Sequence, residues 1–262
     1  MATSSPHLFD TSPETSHQLF VKALESGEKR AAYLNKSGKW EVDKSVKEGI
    51  LTLFAKGQNT TFNNWPGFVD KHNLLPRAFT QSDGVRMVPG GSSVRRGAHI
   101  GKNVIIMPPS YINIGAYVDD SSMVDSHVLV GSCAQIGKNV HLSAGVQIGG
   151  VLEPINAHPV IIEDNVFVGA CTIIVEGMLV KKKAVLAPNL TLAPSIEIYD
   201  LVKEEMLPKG SPIPENAVVI PGSRPVTSGW GKEHRLHKAC LLIVKYRDAK
   251  TNAATALESV LR

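Results

Sequence analysis

The sequence predicts a mainly β protein, a parallel β-helix built from hexapeptide repeats, and three observations carry that prediction. An aliphatic residue stands at every sixth position through Val88, Val94, Ile100, Ile106, Ile112, Val118, Val124, Val130, Ile136, Leu142 and Ile148. The series resumes at Ile162 and runs through Val168, Ile174, Val180, Leu186, Leu192 and Ile198. Four residues beyond each of these comes a small or aliphatic side chain, as at Ser92, Ala98, Val104, Ser110 and Ala116. A period of six fits neither a helix nor a plain strand; it is the mark of a solenoid of short strands. Three hexapeptides per turn fold the eighteen into about six triangular coils. A prism of this kind has no internal pocket, so a site has to lie on a side or in a groove between copies.

The elements follow in chain order. Residues 1–13 are polar and read as a disordered tail. A small helical N-terminal domain and connector covers residues 14–85. Leu19, Phe20, Ala23 and Leu24 form one apolar stripe and Val46, Ile50, Leu53 and Phe54 another, with Gly27 and Gly57 as helix stops. Ala31–Trp40 reads as a short hairpin turning at Lys36-Ser37-Gly38, and residues 58–85 as a connector with a short strand. The β-helix spans residues 86–200. Ile162 stands fourteen positions after Ile148 where six are expected, so a loop of eight extra residues projects at about 149–161. Loops thrown from a solenoid face commonly carry function, although a tolerated insertion gives the same pattern. Residues 201–262 form a C-terminal extension: a proline-rich irregular stretch to 225 with a final strand at Val218–Ile220, a strand at Lys238–Tyr246 and a short helix at Thr251–Leu261.

Composition narrows the function. Hydrophobic residues make up 43% and aromatics only 6%, which suits a core of stacked Val, Ile, Leu and Ala. The formal charge of +4 is mild, and the longest basic cluster is Lys181-Lys182-Lys183. That argues against nucleic acid and is compatible with an anionic small ligand. Cys133, Cys171 and Cys240 are far apart and form no CxxC, which reads as reduced thiols in the cytoplasm. The N-terminus lacks the pattern of a signal peptide, and no apolar run approaches the ~20 residues of a membrane helix. Histidines four or five apart, as a metal site on this solenoid would want, are missing from the coils: His99, His127, His141 and His158 stand further apart. No metal is expected.

Several strings are similar to the tetrahydrodipicolinate N-succinyltransferase family. They include Met107-Pro108-Pro109-Ser110-Tyr111-Ile112-Asn113-Ile114-Gly115-Ala116-Tyr117-Val118-Asp119, Met123-Val124-Asp125, and the run from Val130 to Ser143. Gly149-Gly150-Val151-Leu152-Glu153-Pro154, at the start of the projecting loop, also resembles it. The resemblance covers most of residues 30–262. It implies a left-handed β-helix, a homotrimer with sites between subunits, and succinylation of the amino group of a ring-opened dicarboxylic amino acid on the lysine pathway. No bound cofactor is implied; the acyl-CoA is a co-substrate.

The resemblance also proposes residues. Arg86 matches the arginine that holds a substrate carboxylate, a task suited to the bidentate guanidinium; the alternative is a solvated arginine at the solenoid's end. Asp125 matches the aspartate that contacts the substrate amine and takes its proton. It stands where Gly101, Gly131, Gly137 and Gly169 occur in other repeats, and otherwise reads as a turn aspartate. His127, two residues on, reads as a same-side neighbour of Asp125 and a second base, or as a surface histidine. Gly149 and Gly150 are candidates to place the thioester or its oxyanion through main-chain amides. Lys182 and Arg224 lie toward the C-terminal coils, where the superfamily holds coenzyme A. Two departures concern acyl specificity: Cys171 replaces the family's arginine and Ile173 its glutamate. Both make the site more apolar and admit a smaller acyl group. Two other readings therefore stand beside the succinyltransferase: an acetyl-CoA-dependent paralogue in secondary metabolism, such as tabtoxin biosynthesis, and an inactive trimeric scaffold.

Overall fold

A computed structural model describes residues 15–62 and 65–247. The predicted tail at 1–13 and the predicted helix at Thr251–Leu261 lie outside the described residues. The centre is a three-faced β-helix whose strands are mostly two residues long. Face I stacks Arg86–Met87, Ile105–Ile106, Met123–Val124, His141–Leu142, Phe167–Val168 and Val185–Leu186. Face II stacks Ser93–Val94, Tyr111–Ile112, Leu129–Val130, Gln147–Ile148, Ile173–Ile174 and Thr191–Leu192. Face III stacks His99–Ile100, Tyr117–Val118, Gln135–Ile136, Ile161–Ile162 and Leu179–Val180.

Every ladder within the coils is parallel, with each strand paired to the one a full coil away. The second residue of each pair points inward. Ile112, Val118, Val124, Val130, Ile136, Leu142 and Ile148 are completely buried. Each such side chain contributes about 2 kcal/mol of burial, and none of the two-residue strands would persist without its neighbours. Ser110, Ser122 and Thr172 are buried polar exceptions at the corners, and each hydroxyl donates to a main-chain carbonyl of the following coil.

The corners explain a second regularity. Most corners have a left-handed backbone at the same position: Gly97, Asn103, Gly115, Ser121, His127, Cys133, Asn139, Gly145, Asn165, Cys171, Gly177, Lys183 and Asn189. Glycine and asparagine tolerate that conformation best, which accounts for most of the column. His127 and Cys171, with φ of 62° and 58°, are among its departures.

The first and last repeats differ from the prediction. Met87, not Val88, pairs with Ile106, because Gly90 and Gly91 take positive φ and absorb an extra residue at the first corner. Ile198 is buried but has left the solenoid, since Glu197–Asp200 runs parallel to His237–Tyr246. The bridge to Val180 comes instead from Ile213. Ala217–Pro225 is a nine-residue strand antiparallel to His237–Tyr246, so the proline-rich end is regular where an irregular stretch was expected. Its Val218–Val219 start pairs with Val185–Leu186 and extends face I into a ten-stranded sheet.

Helices α1 (Ser16–Ser26) and α2 (Lys44–Lys56) begin on Thr15 and Asp43, whose side chains accept from main-chain amides. Gly27 ends α1 with φ of 81°. Gly57 does not take that conformation; a Cβ there would sit 2.4 Å from the Asn73 side chain. Between the helices Ala32–Leu34 pairs with Trp40–Val42, and the connector holds a second hairpin, Asn59–Phe62 with Trp65–Lys71. The helices close on face III and its edge with face II: Val21, Leu24, Val46, Ile50 and Leu53 share a buried cluster with Ile114 and Cys133. Arg30 lies 3.6 Å over the Tyr117 ring, which stacks on His99 at 4.2 Å.

Candidate functional site

The edge between faces I and II gathers Asp125, His127 and Cys171 in one column. The His127 amide donates to the Pro109 carbonyl, Gly145 to Ser126, Cys171 to Ala144 and Asn189 to Ala170. These bonds stack successive corners at the ~4.8 Å strand spacing, so His127 and Cys171 stand roughly 10 Å apart along the edge. The Cys171 thiol lies over Gly145, 3.1 Å from where a Cβ would be. Just round the edge on face II, the outward residues are Leu129, Gln147 and Ile173.

Asp125 is half-buried. Its Oδ1 accepts from the Ser126 amide at 2.7 Å, and its amide donates to the Leu142 carbonyl. Among the described residues nothing bonds Oδ2, so one carboxylate oxygen faces outward while the other is fixed. The turn-aspartate geometry and an available acceptor coexist. The expected relation to His127 fails. The strand ends at Val124, and Asp125–Val128 is the corner itself. Two-residue alternation applies only along an extended strand. His127 is exposed and displayed by a left-handed backbone; it is near Asp125 in sequence but not set beside it by strand geometry.

The projecting loop leaves from the other side of face II, at the edge with face III. Gly149 does not offer a free amide: it donates to Ile174 in the ladder. Gly150 crosses the Gly131–Ser132 corner so closely that a Cβ on Gly131 would lie 2.2 Å from the Gly150 nitrogen. Val151 then donates to the Ser132 carbonyl. The loop and Asp125 thus flank face II from opposite edges.

The candidate cations are dispersed. Arg86 lies outward on the first strand of face I, and its guanidinium is exposed. Among the described residues no acid pairs with it, unlike Arg77, Arg95 and Arg96, which meet Asp83, Asp70 and Glu25. Along the axis it is two coils, roughly 10 Å, from Asp125. Lys182 is exposed on the third edge, between faces III and I, and its amide donates to Glu163. Arg224 is engaged by Glu197 at 2.9 Å and by the Tyr199 hydroxyl. Six residues of extended strand, roughly 20 Å, separate it from Val218 beside the last coil. One chain does not bring Lys182 and Arg224 together as a phosphate clamp.

Two features escaped the sequence reading. Gln147 crosses the corner column, its Nε2 donating to the carbonyls of His127 at 3.1 Å and Gly145 at 3.2 Å. Its signal was a polar residue at an outward position between Leu129 and Ile173. A cleft of about 760 Å³ opens between the Asn59–Lys71 hairpin and the first two coils of face II, lined by Phe62, Phe79, Met87, Arg95 and Tyr111. It depends on packing between segments distant in sequence, which no local pattern encodes. Among the described residues no group of three or more His, Cys, Asp or Glu is placed to hold a metal ion, and no helix is long and apolar enough to cross a membrane.

Comparison with known proteins gives one consistent result. A family model described as the hexapeptide repeat of succinyl-transferase matches residues 159–194. A 2,3,4,5-tetrahydropyridine-2,6-dicarboxylate N-succinyltransferase of Polynucleobacter asymbioticus is 44% identical over 248 residues, 92% of this chain and 87% of its own. The Rhodopseudomonas palustris protein of the same name is 43% identical over 246 residues, 91% of this chain and 86% of its own. That of Caulobacter vibrioides is 42% identical over 252 residues, 92% and 88%. A Campylobacter jejuni structure, assigned provisionally to a 2,3,4,5-tetrahydropyridine-2-carboxylate N-succinyltransferase, matches with a TM-score of 0.46 and 13% identity. This chain spans 65% of that structure's length, and so slight a likeness carries no argument.

Proposed function

The chain belongs to the 2,3,4,5-tetrahydropyridine-2,6-dicarboxylate N-succinyltransferase family, and from that premise we propose that it moves a succinyl group from coenzyme A to the amino group of a tetrahydrodipicolinate-like dicarboxylic amino acid. It is an acyl-CoA N-acyltransferase. The observation that carries the reading is identity above 40% over nine-tenths of the chain, with Asp125 and Arg86 both available to a ligand.

In the reaction the amine attacks the thioester carbonyl, a proton leaves the nitrogen, and the coenzyme A thiolate departs. Asp125 Oδ2 accepts the amine's proton while Oδ1 stays fixed on the Ser126 amide. Arg86 holds a carboxylate of the acceptor. Their spacing along the prism suits an extended dicarboxylate reaching from one to the other. His127 is the second acceptor for the proton, exposed on the same corner. Gly150 and the loop place the thioester, and Lys182 meets coenzyme A phosphate. Since the loop and Asp125 occupy opposite edges of face II, a complete site forms where the edge of one copy meets the loop of another. A cytoplasmic homotrimer meets that requirement.

Cys171 and Ile173 set the acyl group. Ile173 is 39% exposed, and nothing in its strip of Leu129, Gln147 and Cys171 carries a positive charge for a succinyl carboxylate. The deciding experiment follows thiol release from succinyl-CoA and from acetyl-CoA with L-2-aminopimelate as acceptor. Turnover with succinyl-CoA is expected. Turnover with acetyl-CoA alone would move the protein to the acetyl-dependent reading, and failure with both donors across related acceptors would leave the scaffold.

A further inference from the structure

We propose that Lys47 is a positioning residue: its ammonium, buried beneath the projecting loop, holds that loop in the conformation acyl transfer needs. The proposal rests on the reading above that this loop places the thioester. Lys47 lies on α2 and is completely buried. Its Nζ donates to the Ala157 carbonyl at 2.6 Å, joining residues 110 positions apart. Burying an ammonium is costly unless something compensates, and among the described residues the compensation is a single short bond to one carbonyl.

The surroundings fit a clasp. The loop has little structure of its own; its one internal main-chain bond between described residues runs from Ala157 to Pro154. It is fastened at its start by Val151 on Ser132, and at its end it packs so tightly that a Cβ on Gly177 would lie 2.5 Å from the His158 carbonyl oxygen. Between those points Leu152 packs against the cluster of Val46, Ile50 and Leu53, on the same helix as Lys47. The helical domain and the loop thus share an apolar cluster and a charged hydrogen bond. The Cys133 thiol is a titratable neighbour of the ammonium. Glu153 and Asn156, at the loop's tip, stay exposed to meet a ligand.

The test is Lys47→Met, which keeps the side chain's length and removes the charge. Apolar replacement of a buried charge is often neutral or stabilising, so the thermal midpoint is expected to hold while the loop loosens. Hydrogen exchange at Val151 and Ala157 should accelerate by at least about tenfold. The kcat with acyl-CoA should fall about ten- to a hundredfold, and Lys47→Arg should restore part of it. Unchanged exchange in Lys47→Met would overturn the clasp whatever the activity. Faster exchange with unchanged turnover would overturn the link to catalysis. Because exchange is read without substrate, it stands even if the acyltransferase reading fails. If Lys47→Met unfolds, Lys47→Gln keeps a polar end on a shorter, uncharged side chain, and unaltered exchange at Val151 and Ala157 in that variant would count equally against the clasp.

Discussion

Asp125 replaces a repeat glycine with a carboxylate, and the structure shows what the replacement does. Oδ1 rests on the Ser126 amide, while Oδ2 is left for a ligand. Asp125→Asn keeps the first bond and loses the proton acceptor. We expect kcat to fall roughly 10²- to 10⁴-fold, with the thermal midpoint unchanged; an unaltered kcat would transfer the role to His127 or water. Cys133, completely buried, has its thiol pushed up to about 12 by loss of solvent, and burial also raises Cys240. Cys171 is exposed. Native protein at pH 8 should therefore take up one iodoacetamide per chain, at Cys171, and three after denaturation. Asp125 was legible because it broke a pattern, whereas its supposed pairing with His127 was not. That inference borrowed strand alternation for residues that occupy a corner.

At the scale of the repeat, a period of six made the inward aliphatic column readable, because burial selects side chains of one kind at one position. The left-handed corner column was equally present as recurring Gly and Asn, and gives a second criterion for setting the frame. Val88 was placed in the core in error for want of it: Gly90 and Gly91 shift the first coil by one residue. The loop's anchoring gives a prediction at this level. In Gly131→Ala the new methyl would meet the Gly150 nitrogen at 2.2 Å, and backbone, unlike a flexible side chain, cannot simply rotate away. The loop must shift, at a cost of about 1–3 kcal/mol. A fall in thermal midpoint with faster exchange at Val151 is expected; wild-type values for both would show that the loop takes up the methyl without loosening.

Over the whole molecule, the segments of the C-terminal extension are tied to one another partly through Asp200. Burial alone would raise its carboxyl, but the Tyr246 hydroxyl at 2.5 Å, the amides of Lys203 and Val202 and the Lys203 ammonium outweigh it and hold it below the ordinary carboxylate value. A depressed carboxylate stabilises the fold fully above its unfolded value, near about 4, and that contribution disappears as pH falls through the folded value. Denaturant midpoints should drop on acidification below pH 4, and Asp200→Asn should flatten the drop while lowering stability at pH 7. An identical acid profile in that variant would assign the transition to other carboxylates. The sequence by itself determined the solenoid, the projecting loop and the outlying carboxylate, because a repeat writes its burial into every sixth residue and exceptions stand out against it. Tertiary structure alone decided that Arg224 belongs to Glu197, that Lys182 and the loop sit on different edges, and that Lys47 reaches Ala157. Those facts depend on which corners face each other after three turns per coil, and on segments far apart in the chain, where no local pattern operates.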